Sequence, residues 1–524
     1  MKEARLLARI VADRRQLTAP LLDFEAGEKT KENRLVAALL DGKERTRSQV
    51  LRALYEPAPN EPAAAAKHDP AFRQLHSRVF GKLLNHLYFL DHSDPRHLVW
   101  RRYQLECLDL LHKGTILHLE GYCSLAARLC QQCLALAEWD GFTEYGVLAA
   151  QELRSLYATT HDQKRYHAAC RDLARLQQRR RLEEEAQAIW DDCRLDATSN
   201  IESPRRAALS LLTQQRECLR QLHQEAQSPT TAELLYKMEM HYLDLSEDYP
   251  GIIAFSLEAE RQLQQGHYNA HRFDVRYNLF ARARAYLNIH QPAEGLAVAT
   301  AAEKHFHPSS NNWFYFQETH ARLALQAGRY ELARRLVQAA YANPVFARQR
   351  DPAQQRWDLF SAYLDFVCPL PQPSAARRRH LSRLPLYLPD YSRDKRGLNV
   401  AILVAQVLHF LHEHDAEAVG LRVEGLRKYR LRHLRGAGYQ RTRLFLRLLQ
   451  LLADEQFEAK RCEQRGQPFL QQLAAIPYAE ESFSEIELVP YPVLWSIILE
   501  RLCTSSVAIT PVAVARPEPA RPAA

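Results

Sequence analysis

Apolar residues recur every third or fourth position along most of this 524-residue chain, and that spacing restricts the folds open to it. In Phe72, Leu75, Val79, Leu83, Leu87 and Leu90 every step is three or four, which puts the apolar side chains on one face of an α-helix. Similar stripes run over 99–365 and 398–475. Glycine points the same way. The chain has 17 glycines, roughly half the usual share of about 7%, and hairpin turns depend on glycine for positive φ. The stripes break at Ser203-Pro204, Ser228-Pro229, Tyr249-Pro250, Gln291-Pro292 and Asn343-Pro344. Proline fits the first turn of a helix and ends the helix before it. The sequence therefore predicts an all-α chain.

One segment suggests how the helices are arranged. Gly328-Arg329-Tyr330-Glu331-Leu332-Ala333 is followed by Ala340 and then Pro344. An aromatic after a glycine turn, with small residues three and ten positions later, lets two antiparallel helices approach closely. The segment resembles the second helix of a tetratricopeptide-type repeat. The offsets +3 and +7 recur in Cys123/Ala126/Cys133, Tyr166/Ala169/Leu176, Ala208/Leu211/Cys218, Tyr249/Ile252/Ala259 and Pro292/Gly295/Ala302. Asp415/Ala418/Gly425 continues the series, and Gln456/Ala459/Gly466 keeps the offsets without the aromatic. Central members at 126, 169, 211, 252, 295 and 333 give a period of about 42, longer than the ~34 residues of a standard tetratricopeptide repeat and inside the ~40–47 of HEAT-like repeats. The resemblance implies an α-solenoid of antiparallel helix pairs with a helical N-terminal cap. Such a fold binds partner proteins or peptides along its groove.

The expected regions are five. Residues 1–95 form an N-terminal helical region that is either a cap or helix-turn-helix-like. A helix lies near 33–40, a second starts at Ser48, 57–70 is a linker, and Arg73, His76, Arg78 and Lys82 lie on the polar face of a third helix. Residues 96–368 carry the repeats, and 369–397 form a Pro/Arg-rich irregular connection. Residues 398–503 make a C-terminal helical region, basic at 422–447, and 504–524 a disordered tail.

Catalytic signatures are missing: there is no glycine-rich phosphate loop, nucleophile elbow or kinase motif. Cys130-Gln131-Gln132-Cys133 lies inside the stripe Leu125, Leu129, Leu134 and Leu136, so its thiols read as core packing rather than zinc or redox chemistry. His409, His412 and His414 cluster at an expected helix end, where imidazolium complements the helix dipole. Arg179–Arg181 followed by Glu183–Glu185 reads as a solvated helix face. The reading is of a non-enzyme without cofactor or metal. The ten cysteines suit reduced thiols, and no apolar run reaches the ~20 residues of a membrane span, so the expected setting is soluble and cytoplasmic.

Charge is the sharpest functional hint. Residues 375–447 hold sixteen Lys/Arg against six Asp/Glu, in a chain whose net charge is +8. Arg427, Lys428, Arg430, Arg432, Arg435, Arg441 and Arg443 are candidate contacts for an anionic partner. Trp313, Tyr315, Phe316 and Tyr277, with Phe280, are candidate groove aromatics. The leading expectation is a protein–protein interaction scaffold. The alternative is a nucleic-acid-associated regulator using the N-terminus or the basic stretch.

Overall fold

The computed structural model describes residues 21–23, 30–40, 49–50, 54, 62–87, 99–196, 202–369, 399–434, 439–477 and 487–504. Among these residues the chain is all-helical, with 19 α-helices packed neighbour to neighbour. None is long and apolar enough to cross a membrane.

Two helices lie near the N-terminus, α1 (Lys31–Leu40) and α2 (Pro62–His86). They share a small core of Leu35, Val36, Phe72, Leu75 and Val79, with Lys82 paired to Glu32 at 2.7 Å. The expected linker at 57–70 is thus helical from Pro62 onward. Ala63–Ala66 are the best helix formers available, and Pro62 stands at the first helical position, where it costs nothing. The turn proposed around Ser48 falls mostly outside the described residues.

The next block runs α3 (Val99–Leu119), α4 (Cys123–Asp140), α5 (Thr143–Thr159), α6 (Gln163–Asp196), α7 (Glu202–Ala226), α8 (Pro229–Leu245) and α9 (Tyr249–Gln264). It continues with α10 (Val275–Asn288), α11 (Pro292–Ala302), α12 (Asn311–Gln326), α13 (Tyr330–Ala342) and α14 (Asp351–Val367). The C-terminal helices are α15 (Asn399–His412), α16 (Ala416–His433), α17 (Gln440–Asp454), α18 (Ala459–Ala475) and α19 (Tyr491–Thr504). The irregular connection expected at 369–397 and the tail after 504 lie outside the described residues.

Six of the turns share one construction. A residue in the left-handed region ends the first helix, and the next amide bonds back five residues: Phe142 N to Ala137 O, Asp162 N to Tyr157 O, Asp248 N to Leu243 O, Gln291 N to Tyr286 O, Arg329 N to Ala324 O and Asp415 N to Phe410 O. That six-to-one bond satisfies a carbonyl the helix would otherwise strand. Glycine fills the left-handed position at 141 and 328, but His161, Glu247, His290 and His414 fill it elsewhere. The following helix often starts on a side-chain cap. Ser228 accepts from Thr231 N, Asp248 from Gly251 N, Ser310 from Trp313 N and Asp415 from Ala418 N.

The offset residues occupy similar places in several of the helices. Cys123, Tyr249, Pro292 and Tyr330 each begin a helix. Ala126, Ile252, Ala333 and Ala340 are buried against the neighbouring helix. At Gly295 an added Cβ would sit 2.5 Å from Leu323 Cδ2 on α12. The member at 208–218 fails. Leu211 and Cys218 are exposed, and Leu212 and Leu219 carry the buried face. On α7 the buried face thus lies one position out of the series, although the helix still packs on α6 and α8.

Contacts also reach past neighbours. The connection between α9 and α10 returns to the α4–α5 turn. Asn269 Nδ2 donates to Trp139 O (2.8 Å), Arg272 Nη1 to the Asp140 and Gly141 carbonyls (3.2 Å each), and His271 Nδ1 meets Asp140 Oδ1 at 2.8 Å. Thr230 Oγ1 adds a bond to Gly141 O (3.0 Å), and Tyr103 on α3 stacks on His271 at 4.3 Å.

Candidate functional site

The contacts onto the α4–α5 turn fix residues 268–274, and these residues form one wall of a groove. Its deeper end is a cavity of about 260 Å³ lined with rings: Trp190 from α6, Tyr236 from α8, Tyr268 and Phe273 from the connection, and Tyr277 from α10. Tyr236 is buried, donates to Asn278 Oδ1 (2.8 Å), and has its phenol pushed up by burial. Burial raises Tyr268 as well. These hydroxyls stay protonated across the physiological range and serve as neutral hydrogen-bonding groups.

Asp274 and Tyr277 also line a wider cavity of about 640 Å³, so the two adjoin. Phe280, Phe306 and Tyr315 add apolar surface there, and Arg101, Arg276 and Arg284 bring positive charge. Arg276 is answered by Asp274 (3.2 Å), and Arg284 by Asp244. Arg101 reaches in from α3 and rests on the Trp100 ring at 5.3 Å. It has no carboxylate partner among the described residues.

Two of the four expected groove aromatics belong here. Tyr277 is 40% exposed and Tyr315 58%. The other two are corrected: Trp313 (6%) and Phe316 (0%) are core. Two helical positions span about 200°, so on α12 the residues flanking Tyr315 at 313 and 317 turn inward while it faces the groove. Phe316 is covered by Phe306, stacked at 4.2 Å. Phe280 lines the groove as expected, whereas Trp190, Tyr236, Tyr268 and Phe273 were missed. The signal for Tyr268 and Phe273 was an aromatic-rich interval at 268–280, which periodicity treats as ordinary core; Trp190 and Tyr236 had none.

The basic stretch divides by helix face. Arg441 is no surface contact. It lies buried on α17 with Nε donating to Glu487 Oε1 (2.6 Å) and Nη1 to the carbonyls of Leu473 (2.8 Å) and Ile476 (2.7 Å). Lys428 and Arg432 are exposed on α16, and Arg427 pairs with Glu424 at 3.6 Å. Arg430 and Arg443 line a separate concavity with Arg447. Arg435 lies outside the described residues.

Three other expectations meet the structure here. Cys130 and Cys133 are fully buried. Burial pushes the Cys130 thiol up to about 12, and the adjacent Cys107 thiol together with burial raises Cys133 further, so neither is a nucleophile. Among the described residues no three His, Cys, Asp or Glu side chains are placed to hold a metal ion. The face at 179–185 is not wholly solvated. Arg180 pairs with Glu184 (2.8 Å), but Glu183 is buried, accepts from Thr143 Oγ1 (3.0 Å), and has its carboxyl raised by burial.

Comparison with protein-family models, curated proteins and solved structures gives no match to this chain.

Proposed function

We propose that this chain is a tetratricopeptide-like α-solenoid acting as a protein–protein interaction scaffold, and that the aromatic groove takes an extended segment of a partner protein. The observation that carries this is the exposure of Tyr277 and Tyr315 on α10 and α12, on one groove whose deeper end is ringed by Trp190, Tyr236, Tyr268 and Phe273. Exposed aromatic side chains lose little entropy on binding and bury much area, which is why they dominate binding hot spots. The partner segment is an aromatic or large apolar anchor in the deeper cavity, followed by a carboxylate directed at Arg101.

A random 12-residue peptide library selected on the full-length chain tests this. Selected peptides are expected to share an aromatic anchor and an acidic residue. Their affinity, read by fluorescence anisotropy, should fall at least about tenfold with Tyr277→Ala/Tyr315→Ala, the usual consequence of losing two interface aromatics. Leu421→Ser, on the exposed side of α16, should leave it unchanged. Peptides that bind the double variant as tightly as the wild type would overturn the assignment of the groove.

A further inference from the structure

The end of α16 and the start of α17 border a concavity of about 610 Å³ well away in sequence from the aromatic groove. Arg430 and Leu434 come from the end of α16, Arg443 and Arg447 from one face of α17, and Ile476 from the end of α18. Gln440 and Gln472 supply neutral polar groups. No carboxylate is among the described residues lining it. Positions 443 and 447 are one helical turn apart, so both guanidinium groups extend over the same mouth.

Arg430 differs from several of the deeply placed arginines. Arg441 is answered by Glu487, Arg282 by Glu260, Arg334 by Asp365 and Arg272 by Glu233. Among the described residues Arg430 has no such answer: its Nη1 is buried without a hydrogen-bond partner there. Burial, then the charges of Arg447, Arg427 and Arg443, hold its guanidinium below the ordinary arginine range. Three like charges crowded around one concavity, one of them with a buried and unsatisfied donor, cost stability. An anion seated there would offset all three charges.

We infer that Arg430, Arg443 and Arg447 form a binding site for a compact ligand carrying two or more phosphate groups, with Leu434, Leu444 and Ile476 receiving an apolar or planar body. Guanidinium forks match phosphate oxygens bidentately, and three forks spread around one hollow can each engage a different phosphate group. The volume lies within the usual ~300–1,000 Å³ of ligand sites and is larger than a bare oxyanion needs. A duplex reader arranges its cations along successive phosphates over a long track. Here the converging charges sit in one hollow, while Lys428 and Arg432 lie exposed outside it.

The test is calorimetric titration of the full-length chain at about 0.15 M salt with sodium tripolyphosphate, with ATP, and with a 20-base-pair DNA duplex. Tripolyphosphate and ATP are expected to bind, with ATP tighter, and to raise the melting temperature. Arg443→Gln/Arg447→Gln should weaken both by at least about tenfold, in keeping with lost charge-assisted hydrogen bonds. Lys428→Gln/Arg432→Gln should change them less than about threefold. Arg430→Met should abolish binding and raise the melting temperature of the unliganded chain, whereas a purely structural arginine would lower it. The single exposed variant Arg447→Gln guards against misfolding of the double variant. The inference is overturned by absence of binding at millimolar tripolyphosphate and ATP, or by binding that the pocket variants leave intact. It is also overturned if only the duplex binds and Lys428→Gln/Arg432→Gln weakens it as much as Arg443→Gln/Arg447→Gln does.

Discussion

Replacing Arg441 with Met should loosen the C-terminal end of the molecule. Arg441 ties three elements together: it sits on α17, donates to Glu487 just before α19, and bonds two carbonyls at the end of α18. Glu487 in turn accepts from Tyr491 N (3.2 Å), and its own carbonyl accepts from Gln326 Nε2 on α12 (3.1 Å). Arg441 and Glu487 are both buried. Removing one member of a buried pair typically costs about 3–5 kcal/mol because the other charge is left uncompensated. A loss of about 4 kcal/mol corresponds to a roughly 10³-fold increase in opening. Hydrogen exchange read by mass spectrometry over 441–454 and 491–504 should show protection falling by that order. Adding Glu487→Gln should recover about half of the loss, since the amide needs no counter-charge. The pH dependence follows from Glu487. Burial already holds its carboxyl above the ordinary value of 4.5, with Arg441 opposing. The native state therefore binds this proton more tightly than the unfolded chain does, and stability declines as pH rises above the ordinary carboxylate range. Without Arg441 the opposing charge is gone, so the variant's deficit should be larger at pH 8 than at pH 5. Unchanged exchange at pH 8, or a double variant no better than the single one, would refute this account of the pair.

Other perturbations have equally definite outcomes. Gly295→Ala would place a Cβ 2.5 Å from Leu323 Cδ2 and 3.1 Å from the Tyr286 Cβ. Overpacking of that kind costs about 1–3 kcal/mol, and scanning calorimetry should register a lower melting temperature. Burial, with Arg441 and Arg322, lowers His290 from 6.5 to about 4. Its folded form resists protonation, so the associated stability is complete above pH 6.5 and is lost as pH falls towards 4. His290→Asn should flatten that part of an acid-denaturation curve. Under native conditions a thiol reagent should reach the exposed Cys218 and Cys503 first, and the buried Cys107, Cys130 and Cys133 only on unfolding. Early labelling of Cys130 would contradict the packing of α3 on α4.

Helix content, helix starts and much of the small-residue packing were legible because they follow local rules. Ser228-Pro229 is a cap followed by a first-turn proline, and Ala333 and Ala340 pack where the offsets put them. Turn geometry was less legible. His161, Glu247, His290 and His414 adopt left-handed φ without the glycine that would announce it. Helix facing was the main source of error. Tyr315 is open while Trp313 is core, and Arg443 lines a concavity while Arg441 is buried. Each pair is two positions apart, on opposite sides of one helix, so charge or aromaticity counted over a window merges residues with opposite fates. Glu487, which decides the fate of Arg441, lies 46 residues away. Nothing in the sequence near 441 points to it. The deeper groove is built by the 268–274 connection, which is positioned by a turn about 130 residues earlier.

Those contacts onto the α4–α5 turn change how the chain should come apart. A linear stack, in which each unit touches only its neighbours, can fray from either end and can nucleate anywhere. Here Thr230, Asn269 and Arg272 clasp a turn 89 to 132 residues earlier. Chain closure over such distances is slow and raises contact order, so the clasp should form late, after the intervening helices have docked. Once formed, it makes residues 139–272 a ring rather than a ladder. Pulled from its ends, this block should release in one rupture event, with the helices beyond α10 peeling away separately in smaller steps.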